Sequence, residues 1–139
     1  MSLLRQSTCV AIGARAVLIE GPPGSGKSSL ALALIDRGAM LVGDDGVALE
    51  VGGGQLFASP PPNTSSMIEV RNLGIIRRPT VGAVPVALVL LLDPEALRFI
   101  DAAESIGIAG IFLPLVRLYP DSPVLHLRAE LALERYGWQ

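Results

Sequence analysis

Short apolar runs broken by glycine and polar residues fill the first two thirds of this chain. Thr8 to Ile12, Ala16 to Glu20 and Ala39 to Gly43 are each strand-length and rich in Val, Leu, Ile and Ala. Runs of that length, bounded by turn residues, read as strands buried on both faces. Gly13-Ala14 makes a turn between the first two. Ser28 to Arg37 is instead a continuous block of helix formers, with Gly38 placed to end it at a C-cap position. Val47 to Val51 and Gln55 to Ala58 flank Gly52-Gly53-Gly54, a β-hairpin signal. Pro60 to Ser66 reads as a stiff polar loop, and Met67 to Arg71 alternates as a strand would. Asn72 to Pro79 reads as a loop with a short extended stretch, and Val84 to Leu92 as a buried strand with Pro85 near its start. Ile106 to Leu118 is apolar, punctuated by Gly and Pro, and expected to be extended core. Ser122-Pro123 signals an N-cap and first turn for a helix reaching about Tyr136. Strands outnumber helices after the first helix, so the expectation is an α/β fold with a mixed β-sheet, few helices and a C-terminal helix, in one domain over residues 1–139.

Composition narrows the classes. A length of 139 residues suits one core, and 50% apolar content with only 4% aromatic residues suits a sheet covered by helices. A net charge of −2 gives no general attraction to nucleic acid or to an anionic membrane. The single cysteine, Cys9, excludes an internal disulfide framework and reads as a buried thiol. No signal-peptide core and no apolar run of membrane-spanning length is present, so a cytoplasmic location is expected.

Lys27 is the only lysine; the ten other basic residues are arginines. It lies in Gly21, Pro22, Pro23, Gly24, Ser25, Gly26, Lys27, Ser28, which fits G-x-x-x-x-G-K-[ST] at every fixed position. An apolar run precedes the motif and a helix former follows it, so strand, glycine loop and helix come in the order that phosphate binding needs. Backbone N–H groups and the positive end of the helix would hold phosphate oxygens. The slim Lys27 ammonium would reach β- and γ-phosphates as a point charge, a task that a planar guanidinium fills poorly. The Ser28 hydroxyl would ligate magnesium. A nucleoside triphosphate is the expected ligand.

Asp44 and Asp45 end the strand that follows the helix, and should emerge at the same sheet edge as the loop. One could accept a proton from an attacking hydroxyl or water while the other orients a metal-bound water. A solvated acid pair in a turn before Gly46 is the plain alternative. Glu69 and Arg71 would share a face of their strand. They read either as a surface ion pair or as a magnesium ligand and a clamp on a moving phosphoryl group. His126 has no metal-ligand partner at suitable spacing and reads as a partly exposed helix residue, Arg77-Arg78 as a solvated loop pair. Trp138 would pack against the body or enter an oligomer contact.

The run from Gly21 to Asp45 resembles the P-loop and Asp-Asp segment of bacterial HPr kinase/phosphorylase. Ile68-Glu-Val-Arg-Asn-Leu-Gly-Ile-Ile76 is similar to that family's signature E-[VI]-R-G-L-G-I-I. The resemblance runs with gaps from about Gln6 to Ile76 and is greatest to the short form, which lacks an N-terminal domain. It implies a protein-serine kinase using ATP and magnesium on the phosphocarrier HPr, with phosphorolytic removal of that phosphate by the same site in many members. It also implies a homo-oligomer, since family members form hexamers. Carried over, Lys27 and the loop hold the phosphates, and Ser28 and Glu69 hold the metal. Asp44 takes the proton of the attacking serine with Asp45 in support, and Arg71 stabilises charge in transfer.

Departures from the family pattern are specific. Gln6 stands where the family carries a histidine, Gly43 where alanine precedes the Asp pair, and Asn72 where glycine follows the arginine. Ser29 replaces an acidic residue, and no segment matches the family's C-terminal P-G-R-N. Two other readings stay open at this point: a catalytically silent nucleotide-binding module, favoured by Gln6, and a small P-loop NTPase or metabolite kinase.

Overall fold

The computed structural model describes residues 2–62 and 67–139. Its elements run in the order β1 (Ser2–Arg5), β2 (Thr8–Ile12), β3 (Arg15–Glu20), α1 (Lys27–Asp36), β4 (Met40–Gly43), β5 (Val47–Gly52), β6 (Gln55–Ser59), β7 (Met67–Val70), β8 (Gly74–Arg77), β9 (Val84–Leu92), β10 (Glu104–Ile108), β11 (Ile111–Leu118) and α2 (Leu125–Tyr136). The main sheet is ordered β1-β5-β6-β9-β3-β2-β4. β11 joins the far end of β9 and carries β10 outside it. β9 runs parallel to β3 and to β11, and the remaining pairs in this sheet are antiparallel, so the sheet is mixed, as the excess of strands implied.

The sheet buries both faces. One packs on the helices through Val17, Ile19, Leu30, Leu34, Leu88 and Leu133. The other closes on itself between the β5–β6 hairpin and the β10–β11 hairpin, around Cys9, Leu18, Leu49, Leu56, Val89 and Leu113. This double burial explains why β3 and β9 read as unbroken apolar runs. Burial also pushes the Cys9 thiol well above its ordinary range, so it stays neutral packing.

Several expectations change in detail. Ser2–Arg5 forms an edge strand on β5, although its sequence shows no alternation that would announce it. The short extended stretch expected within Asn72 to Pro79 is Gly74–Arg77, and it pairs with Met67–Val70 as a separate two-stranded ribbon. Ile106 to Leu118 divides into two strands of a hairpin, and Phe112 faces outward. Helix α2 begins at Leu125 with Val124 as its N-cap; Ser122 Oγ instead accepts the Val124 N–H (3.2 Å) in the preceding turn. Residues 63–66 of the expected Pro60 to Ser66 loop lie outside the described residues. His126 is half-buried and Arg78 lies exposed in a loop, as expected, whereas Arg77, also exposed, is the last residue of β8 rather than a loop residue.

Between Ala16 and Val17 the β3–β9 register shifts, leaving Ala87 outside the ladder. The Ala87 carbonyl accepts the Trp138 N–H (3.0 Å), and Arg15 donates to the Trp138 carbonyl (2.9 Å). Trp138 thus lies against the body of the fold.

Candidate active site

β2 runs antiparallel to both β3 and β4 and lies between them, so β3 and β4 point the same way and end at one sheet edge. That edge receives the glycine loop after Glu20, the acid pair after Gly43, and the start of β2 at Gln6 to Thr8. The β7–β8 ribbon brings a fourth segment, fixed to α1 by fully buried Ile68. Together they form a cleft of about 470 Å³. Gly21, Pro23, Gly24, Gly26, Lys27, Ser28 and Ser29 line one side, and Asp44, Asp45, Glu69 and Arg71 the other. Every residue singled out as catalytic or metal-binding therefore faces one cavity. Of the loop, Pro22 and Ser25 do not line it; Ser25 Oγ is buried without a hydrogen-bond partner among the described residues.

The loop's shape follows from its glycines. Gly24 (φ 81°) and Gly26 (φ 100°) adopt left-handed backbone, which a side chain disfavours. Gly26 is the N-cap of α1, and no side chain caps that terminus nor does an acid sit in the first turn. The first-turn N–H groups and the positive helix end are thus left for an anion, and the residues that carry them line the cleft. Lys27 Nζ donates to the carbonyls of Gly21 (2.8 Å) and Pro22 (3.4 Å), which holds the ammonium against its own loop. Arg5 grips Glu20, the residue before the loop, through two contacts of 2.5 and 2.9 Å. Hydrogen bonding to Glu20 raises the Arg5 pKa above its ordinary value, against the opposing effect of burial.

Asp44 is the most tightly held group in the cleft. Its Oδ1 accepts from Ser28 Oγ (2.7 Å) and Thr8 Oγ1 (3.1 Å), and its Oδ2 from the Glu69 N–H (2.9 Å). One carboxylate thereby ties β2, α1 and β7 together. Asp45 differs: it is exposed and takes left-handed backbone (φ 55°), a conformation that aspartate tolerates better than most residues, while its N–H reaches Thr8 Oγ1 (3.4 Å). Two adjacent acids accordingly have different environments, one fixed and one free to meet solvent.

Two expectations are corrected here. Arg71 lies beyond the last residue of β7, in the ribbon turn, so it does not share a strand face with Glu69. No salt bridge joins the two, yet both reach the cleft. Asn72, the residue after Arg71, has φ 75°, which explains why only a glycine or a residue tolerant of left-handed backbone suits that position. Sequence reasoning missed Thr8. It is fully buried, lines the cleft and supports both aspartates, but its role depends on β2 lying between β3 and β4, which no local motif announces.

Comparison with known proteins agrees with this geometry. The family model described as the HPr Serine kinase C-terminal domain matches residues 3–83. HPr kinase/phosphorylase of Clostridium tetani is 51% identical over 65 residues, covering 47% of this chain and 21% of that protein. The enzyme of Mycoplasmopsis pulmonis is 41% identical over 69 residues, covering 50% and 22%. The match therefore spans about a fifth of the length of these curated relatives. The structure of the Hpr(Ser) kinase/phosphatase from Coxiella burnetii superposes with a TM-score of 0.84 at 30% identity, covering 95% of this chain and 94% of that one. With both its phosphate-loop segment and its ribbon inside the matched region, and its whole fold shared with a solved member, the chain belongs to the HPr serine kinase C-terminal domain family.

Proposed function

We propose that this chain is an ATP- and magnesium-dependent protein-serine kinase acting on an HPr-like phosphocarrier, with phosphorolytic removal of the phosphate by the same site. The observation that carries the reading is Asp44, fixed by three donors, one of them Ser28 in the first turn of a helix whose N-terminus no side chain caps. When bound, ATP with magnesium supplies the phosphoryl group and neutralises its charge. Lys27 and the first-turn N–H groups of α1 hold the phosphates. Ser28 Oγ donates its hydrogen to Asp44 and keeps lone pairs for a cation, with Glu69 as the second oxygen ligand. Among the described residues no three His, Cys, Asp or Glu side chains form a metal cage. Hard oxygen donors that few suit magnesium, which keeps waters and takes phosphate oxygens as ligands.

Asp44 Oδ2 has one donor where Oδ1 has two, so Oδ2 is the atom that accepts the proton of an acceptor serine. Asp45 orients water or the cation's hydration shell, and Arg71 stabilises charge on the moving group. Transfer of this kind relies on positioning and charge more than on covalent chemistry, which is why a cleft with Gln6 in place of a histidine still suffices. A homo-oligomer in the cytoplasm completes the reading. Gln6 lines the cleft and cannot titrate, which favours one second reading: a nucleotide-binding module without transfer activity.

The intact mass of purified HPr after incubation with this protein, ATP and magnesium separates the two. A gain of one phosphoryl group, lost with Lys27→Ala, is the expected result. ATP binding with no gain of mass supports the silent module, and ATP hydrolysis without an acceptor supports a simple NTPase.

A further inference from the structure

Arg5 and Glu20 stand on strands that are not neighbours. β5, β6 and β9 lie between β1 and β3 in the order of the main sheet, and the curl of that sheet brings the two side chains together. The guanidinium meets the carboxylate edge to edge, with Nε on one oxygen (2.5 Å) and Nη2 on the other (2.9 Å). A planar fork matched to a carboxylate in this way fixes orientation as well as charge. Both side chains are largely withdrawn from solvent, Glu20 at 16% exposure and Arg5 at 30%. Charges so placed are screened less than those on the open surface.

The pair adjoins both halves of the site without entering it. Glu20 is the residue before the glycine loop, and Lys27 Nζ donates to the carbonyl of the next residue, Gly21 (2.8 Å). Arg5 stands opposite Val47 in the β1–β5 ladder, just beyond the acid pair. Ser7 continues the connection: its Oγ donates to the Ile19 carbonyl (3.2 Å), and its own carbonyl accepts the Gly46 N–H (3.0 Å). Neither Arg5 nor Glu20 lines the cleft, so neither touches a nucleotide bound there. Within the cleft, Asp44, Asp45 and Glu69 already face Lys27 and Arg71. A further carboxylate beside the loop, if unpaired, would oppose a triphosphate.

We propose that the Arg5–Glu20 pair sets the charge beneath the phosphate loop and thereby the affinity for ATP. Arg5 is a positioning residue that raises this affinity, and Glu20 a carboxylate that lowers it. The inference rests on the cleft being a triphosphate site. A triphosphate carries several negative charges, and each interacts with Glu20 and Arg5 through partly buried protein without contact. A pair that served only to hold β1 against β3 would behave differently. Loss of either partner would then loosen the loop, and both single variants would bind ATP more weakly. Control by charge gives the two variants opposite signs.

Calorimetric titration of ATP with magnesium into wild type, Arg5→Gln, Glu20→Gln and the double variant reads those signs. Arg5→Gln should weaken binding by roughly three- to tenfold, and Glu20→Gln should tighten it by roughly two- to fivefold. The double variant, neutral at both positions, should fall within about twofold of wild type. Thermal melts establish that each variant is folded, and Glu20→Gln alone decides the sign if Arg5→Gln does not fold. Unchanged or weaker binding in Glu20→Gln overturns the proposal. So does wild-type affinity in Arg5→Gln, or a double variant as weak as Arg5→Gln. A wild-type protein that takes up no ATP overturns the reading of the cleft itself, and this inference with it.

Discussion

Thr8→Val isolates one hydrogen bond with little change of shape. Valine matches threonine in outline and favours a strand, so β2 should form as before. What disappears is a hydroxyl in a fully buried position that donates to Asp44 Oδ1 at 3.1 Å and receives the Asp45 N–H at 3.4 Å. A hydrogen bond to a charged group contributes about 1.5–3 kcal/mol, and half-buried Asp44 can recover part of a lost donor from solvent. Asp44 keeps Ser28 and Glu69 as donors, which places the expected cost towards the lower end of that range. For a chain of 139 residues the loss corresponds to a fall of about 5–10 °C in melting temperature. Loss of a fixed carboxylate should also lower kcat for phosphoryl transfer by about 10- to 100-fold. ATP affinity should hold, since Lys27 and the glycine loop are untouched. Thr8→Ser restores the hydroxyl and should recover the rate, with a residual stability cost of about 1 kcal/mol for the missing methyl. Thermal melts and single-turnover transfer measure both quantities. A Thr8→Val protein with wild-type melting temperature and rate would refute the reasoning, as would a Thr8→Ser protein as impaired as Thr8→Val.

Other outcomes follow from the same geometry. Gly43→Ala drives a Cβ onto the Gly46 carbonyl oxygen and within 3.3 Å of Pro61, against backbone that cannot rotate aside. A loss of about 1–3 kcal/mol and a displaced acid pair are expected, and a melt unchanged from wild type would show that the turn has slack. Asp44→Asn should bind ATP in calorimetry with near wild-type affinity and fail in transfer; retained transfer removes Asp44 from the proton-accepting role. The pH dependence of the β10–β11 hairpin has a definite sign. The Glu95 N–H and then Arg117 hold Asp93 below its usual 3.8, and Arg117 holds Glu104 below its usual 4.5. Depressed carboxylates contribute stability above their unfolded pKa and lose it as pH falls through the folded value. Melting temperatures of wild type and Arg117→Gln should therefore differ at neutral pH and converge between about pH 5 and pH 2.

Much of the cleft was legible because its parts are local. Gly21 to Ser28 is contiguous, and the phosphate-binding shape depends on residues a few positions apart. Asp44 and Asp45 could be placed because the strand, helix, strand order fixes their edge of the sheet. Glu69 and Arg71 were found through the signature, although their expected pairing assumed a strand that stops at Val70. Thr8 stayed hidden because its meaning comes from the long-range register that sets it opposite Ile19, beside the end of β4. Ser122 misled for a related reason: its hydroxyl serves a turn just before α2 rather than the helix itself. The edge strand Ser2–Arg5 is visible only through its partner, since its apolar residues Leu3 and Leu4 are both exposed.

The ribbon of β7 and β8 belongs to no larger sheet, and its approach to the cleft rests on buried Ile68 and on one amide, that of Glu69, held by Asp44. That amide is a built-in gauge of the Asp44 carboxylate. Its hydrogen exchange should be slow while Asp44 Oδ2 holds it and fast when the carboxylate is neutralised or replaced. A single backbone proton would then report whether the acid and the ribbon are locked together, without any turnover being measured.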